Sequence, residues 1–355
     1  LGPGEDAATI ARALVSELRR PEGTDDVLVG YRAGIRHVRE YVPVEAAPAE
    51  RAQPADHAAP TDPVHRIREA GTYLITGGLG DLGLILAEHF AAAGAGRLIL
   101  TSRGGVPSGG TRADAVARLR AGGVEVLTPA VDVTDTAAMR EVLAGVLADG
   151  GRLDGVVHAA AVTHPDTFRP LRTVDDEAVG LHFGAKVGGA LVLDELLAEL
   201  SPEQAPEFCL LFSSSSSILG GITFACYAAA NAALAALGQR GHARFLAGQS
   251  PTRWISSAWD TWSVTLAAHG PASATMAKHT MTREQALAAF DRLLAVPGPS
   301  LVVAAGGLTE RLPRALSAPC ASCGRTCWAW SRSASRTRSS TSAATRCWAC
   351  RCWRW

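Results

Sequence analysis

The chain has 355 residues, 47% hydrophobic and 19% charged, enough for a sizeable core and for two or three domains. No apolar run approaches the roughly 20 residues of a membrane span, and no basic segment followed by an apolar one marks a secretory leader, so the sequence reads as a fragment of a longer cytoplasmic protein. The net charge of zero hides two parts: residues 311–355 hold nine Arg and no acid, so residues 1–310 carry −9, a balance that argues against nucleic acid as partner.

Residues 8–20 (ATIARALVSELRR) place apolar side chains at helical spacing, and Val27–Tyr31 and Ile35–Val44 read as two short strands around Arg32-Ala33-Gly34. This segment, residues 1–44, is too short to fold alone. Residues 45–65 are Ala/Pro-rich without periodicity and form a linker. A domain of residues 66–310 follows, in which strands at 72–77, 97–102, 124–130, 154–159, 207–213, 253–258 and 300–304 alternate with helices near 81–94, 112–121, 136–149, 176–199, 227–247 and 283–295. Nearly continuous apolar strands between helices predict a parallel sheet covered on both faces. The expected fold class is α/β, a doubly wound Rossmann-like domain.

The first strand of that domain runs into Thr76-Gly77-Gly78-Leu79-Gly80-Asp81-Leu82-Gly83, which contains Gly78-x-Gly80-x-x-Gly83 and opens a helix. Strand, glycine turn and helix N-terminus together suit the pyrophosphate of a dinucleotide. The second strand ends Leu100-Thr101-Ser102-Arg103, without the acid that would hold a free ribose 2′-hydroxyl. Arg103 suits a 2′-phosphate instead, which points to NADPH, although it also reads as a solvated loop cation. Asp132, in Val131-Asp132-Val133, fits either an adenine contact or a cap on the next helix.

Lysine occurs twice, at Lys186 and Lys278, among 32 Arg. A lysine kept in such a chain suggests a place where a compact ammonium must sit. Ser214 ends a strand, and thirteen residues later Tyr227 opens Tyr227-Ala228-Ala229-Ala230-Asn231, which sets Tyr227 and Asn231 on one face of a helix. Residues 259–282 are rich in Gly, Ala and Ser around Trp259 and Trp262, a composition that suits a flexible loop. Beyond Leu316 there is no Val, Ile, Leu, Met or Phe, while six Cys and five Trp crowd residues 311–355. Cys320-x-x-Cys323 and Cys347-x-x-Cys350 have zinc-site spacing. The surrounding Arg/Ser/Thr/Trp mixture instead matches GC-rich DNA read out of frame, and predicts a disordered tail.

Residues 66–305 resemble the ketoreductase domain of a modular type I polyketide synthase, a member of the short-chain dehydrogenase/reductase superfamily. The resemblance lies in Thr76–Gly83, Ser102-Arg103-Gly104, Val157-His158-Ala159-Ala160, Phe183-Gly184-Ala185-Lys186-Val187-Gly188-Gly189, Phe212-Ser213-Ser214 and Tyr227–Asn231. Most short-chain reductases carry Tyr-x-x-x-Lys with an Asn upstream. Synthase ketoreductases exchange the two, as Lys186 and Asn231 do here. The resemblance implies catalytic Ser214, Tyr227, Lys186 and Asn231. It also implies cofactor contacts from Thr76, Gly77, Gly78, Leu79, Gly80, Leu82, Gly83, Ser102, Arg103, Asp132, Val133, Ala159, Ala160, Lys186 and Tyr227.

The implied reaction is NADPH-dependent reduction of a β-ketoacyl chain carried on an acyl carrier protein among neighbouring synthase domains. Ser214 and Tyr227 would polarise the ketone, Tyr227 would give the proton, Lys186 would stabilise the phenolate, and Asn231 would orient Lys186 or a relay water. Residues 1–44 are similar to the end of the structural subdomain that precedes the catalytic half in this family, and residues 259–282 to its lid. His158 falls beside the cofactor in the strand-end motif. Of the two stereochemical markers, Leu219 stands where one group carries Trp. Asp166, with one inserted residue, matches the aspartate of the Leu-Asp-Asp group, pointing to a B-type alcohol; it also reads as a plain loop acid. The competing expectations are a freestanding dehydrogenase and a non-catalytic scaffold of a synthase module.

Overall fold

The computed structural model describes residues 6–19, 29–32, 35–44, 67–268 and 278–312, with the backbone of Ala318–Pro319, Thr326–Cys327 and Thr345–Arg351. The chain divides into two compact units, one of residues 1–42, 307–343 and 350–355, the other of residues 43–306 and 344–349. The expected linker 45–65 lies outside the described residues.

In the first unit, helix α1 (Ala7–Leu18) is capped by Asp6, whose carboxylate accepts from the Thr9 amide at 2.6 Å. Strands β1 (Val29–Arg32) and β2 (Ile35–Val38) form an antiparallel hairpin. The Glu17 carboxylate receives the Tyr31 hydroxyl at 2.8 Å and the Arg36 guanidinium at 2.6 and 2.9 Å, which fastens helix to hairpin.

The second unit is built on seven parallel strands: β4 (Thr72–Thr76), β5 (Arg97–Thr101), β6 (Glu125–Leu127), β7 (Gly155–His158), β8 (Phe208–Ser214), β9 (Arg253–Trp259) and β10 (Ser300–Ala305). Here β3 is the short strand Glu40–Pro43. The sheet order is β10-β9-β8-β7-β4-β5-β6, the doubly wound arrangement that reverses direction beside β4. Successive strand residues point to opposite faces, so Tyr73, Ile75, Leu98, Leu100, Phe208 and Phe212 enter one core while Leu74, Ile99, Val156, Cys209 and Leu211 enter the other. The first core is closed by α2 (Asp81–Ala92), α3 (Thr111–Ala121) and α10 (Arg283–Ala295), the second by α4 (Thr136–Leu147), α6 (Gly189–Ala198) and α8 (Ala225–Leu246), which the short α7 (Ser216–Leu219) precedes. Among the described residues no helix is long and apolar enough to cross a membrane.

Local chemistry explains the boundaries. Asp135 caps α4 by accepting from the Ala138 amide at 3.0 Å, and Asp175 caps α5 (Asp176–Phe183) by accepting from Ala178 at 2.9 Å. Thr282 and Gln285 form a capping box on α10. Arg253, fully buried in β9, donates to the carbonyls of Leu294, Val296 and Gly298, so one guanidinium satisfies the chain leaving α10.

Three features differ from expectation. The helix predicted over 176–199 is interrupted at Gly184–Gly188 by a π turn centred on Lys186, a form common at functional sites. Trp259 and Trp262 are core residues: Trp259 stacks on Phe212 with centroids 5.1 Å apart, and Trp262 meets Trp259 at 5.3 Å. The rest of the expected lid is α9 (Ser263–Ala268) and residues 278–282, with 269–277 outside the described residues. In the tail, Thr345–Arg351 pairs antiparallel with β10, Leu301 opposite Ala349 and Ala305 opposite Thr345. Such pairing uses only backbone groups at an open sheet edge, so the missing aliphatic residues do not prevent it. The side chains of all six tail cysteines lie outside the described residues.

Candidate active site

The carboxyl ends of β4, β5, β7, β8 and β9 open into a cavity of about 1120 Å³, larger than the roughly 300–1,000 Å³ of an ordinary small-ligand site. Gly77, Leu79, Gly80, Leu82 and Gly83 form one end, joined by Ser102, Arg103, Asp132, Val133, Ala159 and Ala160; Lys186, Ser214 and Tyr227 line the other. Fourteen of the residues expected at the site from sequence thus face one space. Thr76, Gly78 and Asn231 stand behind it, Thr76 and Asn231 fully buried.

The glycine turn is shaped to bring backbone close to a ligand. Gly77 has φ +69°, and a Cβ there would lie 2.8 Å from the Cα of Ala160; a Cβ at Gly83 would lie 2.4 Å from the Gly77 carbonyl oxygen. Neither position admits a side chain. Gly80 starts α2 without any side-chain cap, which leaves the first amides of that helix for an anion. Asp132 does not cap α4, which Asp135 does. Its carboxylate accepts from the amide and hydroxyl of Thr134 at 2.9 and 2.7 Å, which hold it below the usual carboxylate range, with Arg103 adding to the effect.

Lys186 is 3% exposed, and its Nζ donates to the Phe212 carbonyl at 2.9 Å while lying 5.5 Å from the centre of the Tyr227 ring. Burial pushes its ammonium down to about 7. His158 holds this lysine from behind. Its Nε2 donates to the Lys186 carbonyl at 2.8 Å, and its Nδ1 accepts from the Thr76 hydroxyl at 2.7 Å. Burial pushes the imidazole down to about 4, so it stays neutral. His158 therefore braces the site instead of lining it.

Tyr227 stands in the first turn of α8, where burial raises its phenol while Ser214 and Asn231 act to lower it. Asn231 is held on the same face by Nδ2–H donating to the Tyr227 carbonyl at 2.8 Å; its Oδ1 has no partner among the described residues. Sequence reading missed the aromatic wall of Phe168 and Phe224, and also Glu177 and Arg112, all on the cavity. Arg112, in the first turn of α3, was the one with a signal: a second cation following closely on Ser102-Arg103. Asp166 points away from the cavity, with its side chain 88% exposed and paired to His164 at 3.2 Å.

A family model for the KR domain matches residues 71–262, more than half of the chain. The chain belongs to the ketoreductase domain family of polyketide synthases. This ketoreductase domain is 36% identical over 258 residues to the pikromycin polyketide synthase component PikAIII of Streptomyces venezuelae, covering 73% of this chain and 15% of that protein. It is 36% identical over 206 residues to a mycocerosic acid synthase-like polyketide synthase of Mycolicibacterium smegmatis, covering 57% of this chain and 9% of that one. The first ketoreductase of the tylosin PKS superposes with a TM-score of 0.61 at 30% identity, covering 83% of this chain and 57% of that structure. The chain therefore spans a small part of these synthases.

Membership implies a nicotinamide cofactor, and the residues present fit one. The glycine turn where a Cβ would strike backbone, the uncapped start of α2 and the cavity volume all suit a dinucleotide.

Proposed function

We propose that this ketoreductase domain reduces the β-keto group of a polyketide intermediate on an acyl carrier protein, with NADPH as reductant, among neighbouring synthase domains in the cytoplasm. The observation that carries the reading is the meeting of Lys186, Ser214 and Tyr227 with the glycine turn in one cavity. When bound, the reduced nicotinamide supplies hydride to the ketone carbon. The chain's own part is to bind the ketone oxygen and deliver a proton to it.

Ser214 and Tyr227 donate hydrogen bonds to that oxygen, and the Tyr227 hydroxyl gives up its proton as negative charge develops there. A phenol raised by burial parts reluctantly with a proton, and the nearby Lys186 ammonium offsets this by favouring the phenolate. Asn231 fixes the first turn of α8, and its Oδ1, without a partner among the described residues, suits a relay water. Arg103, exposed at the end of β5 and on the cavity, suits the 2′-phosphate that distinguishes NADPH. The B-type alcohol rests on the sequence position of Asp166 alone, because its carboxylate faces His164 and solvent.

The test is loss of NADPH absorbance with a β-ketoacyl N-acetylcysteamine thioester, followed by chiral analysis of the alcohol. Turnover that falls at least about a hundredfold in Tyr227→Phe, with NADPH binding kept, supports the reading. Unchanged turnover in that variant sinks the assignment of Tyr227, and NADPH binding without turnover in the parent favours a scaffold.

A further inference from the structure

The ring of Tyr227 stands among three others. Phe168 meets it at 5.4 Å and 80°, His182 at 5.5 Å and 66°, and Phe224 at 6.0 Å and 66°, all with an edge turned to a face. Phe168 in turn contacts His182 at 5.4 Å and Phe224 at 5.1 Å. Phe168 and Phe224 line the cavity; His182, in α5 and 1% exposed, sits behind them. The centre of this cluster is thus polar where an aliphatic or Phe side chain would fill the volume without a desolvated nitrogen.

The polarity has one visible use. His182 Nε2 lies 3.0 Å from the carbonyl of Thr167. A carbonyl only accepts, so Nε2 carries the hydrogen, and Nδ1 is buried without a partner among the described residues. Thr167 ends the turn Pro165–Thr167, and Phe168 follows it directly. The bond therefore fixes the segment that delivers Pro165 and Phe168 to the cavity wall, while the same imidazole presses on Tyr227 and stands one helical turn before Lys186.

We propose that His182 is a positioning residue that couples the substrate-side wall at Pro165–Phe168 to the orientation of the Tyr227 phenol. The inference rests on the reading of Tyr227 as proton donor. One residue sets both the angle of the reacting hydroxyl and the width of the cavity beside it, so proton delivery and tolerance of bulk on the ketone change together. The glycine turn and Arg103, which would hold the phosphates of the cofactor at the far end of the cavity, stay apart from both.

Two variants separate the contributions. His182→Phe keeps a ring against Tyr227 and removes the donor to Thr167; His182→Gln keeps a donor and removes the ring. The expected result is a fall in kcat of roughly tenfold or more in each, with the affinity for NADPH within about twofold of the parent. The ratio of kcat/KM for trans-1-decalone over cyclohexanone should shift at least about threefold. A purely structural role would lower activity and melting temperature together and leave that ratio unmoved, which would overturn the inference.

A readout independent of turnover is the titration of Tyr227 followed by 13C-tyrosine NMR, with Tyr227→Phe identifying the resonance. His182→Gln admits water beside a phenol whose charged neighbour is Lys186, and its titration should move downward; no movement overturns the inference. Should the His182 variants fail to fold, Phe168→Leu must shift the same ketone ratio, and an unchanged ratio there is equally fatal. A parent that binds NADPH and reduces no ketone refutes the proposed function, while the NMR arm still judges the positioning.

Discussion

Replacing Lys186 by Met should stabilise this domain while disabling it. The ammonium is almost fully enclosed, and its fall from 10.5 to about 7 comes from burial. At about 1.4 kcal/mol per pH unit, the folded state bears a cost on the order of 4 kcal/mol at pH 7 for holding this group. Methionine fills a similar volume without the charge but leaves the Phe212 carbonyl without its 2.9 Å donor, a loss of about 1–3 kcal/mol. The net is a gain of about 1–3 kcal/mol, or a Tm rise of roughly 3–10 °C for a domain of this size.

The sign has a pH signature. Between pH 7 and 10.5 the unfolded chain holds a proton that the folded chain has released, so the parent's unfolding free energy rises with pH across that window. The advantage of Lys186→Met should therefore shrink as pH rises from 7 towards 10.5. Thermal unfolding by circular dichroism at several pH values measures it, beside ketone turnover, which should fall at least about a hundredfold. A variant less stable than the parent at pH 7, or a difference that does not vary with pH, would refute the reasoning.

Arg103→Ala should raise the KM for NADPH about tenfold or more and leave that for NADH little changed, because only NADPH carries the 2′-phosphate; steady-state kinetics with both cofactors decide it. Gly83→Ala should abolish dinucleotide binding in a fluorescence titration, since its Cβ would lie 2.4 Å from the Gly77 carbonyl oxygen and the turn must shift. Arg253→Met should lower stability by about 1–3 kcal/mol in urea melts, because the carbonyls of Leu294, Val296 and Gly298 lose their shared donor inside the protein.

The parallel sheet was legible because its strands are apolar on both faces and separated by helices of ordinary length, which leaves few other ways to bury them. The proposed catalytic cluster was legible through Tyr227 and Asn231 four residues apart and through a lysine in a chain that otherwise uses arginine. The cavity wall was not. Phe168 and Phe224 stand in irregular segments with no period, and their convergence on Tyr227 depends on how three separate segments pack. Trp259 and Trp262 misled in the other direction: a Gly/Ala-rich neighbourhood suggested a loose loop, whereas the indoles are stacked into the core beside Phe212. His158 carries no mark in the sequence of its bond to the Lys186 backbone, since Thr76, His158 and Lys186 are brought together only by the sheet and the helix laid on it.

The π turn at Gly184–Gly188 has a consequence for how this domain can vary. The buried positions Ala178, His182, Lys186 and Ala190 recur every four residues, which in a regular helix, at about 100° per residue, carries the buried face round by about 40° at each step. A wider turn in the middle absorbs that drift. The segment behaves as two helical registers joined at a fixed offset. Loss of a single residue between 184 and 188 would rotate α6 by about 100° relative to α5, turning Leu193 and Leu197 out of the core if Lys186 kept its aim, or Lys186 away from Phe212 if they stayed. Length at this point is therefore as constrained as residue identity, and a graft of the Lys186 helix into another scaffold must carry the whole offset with it.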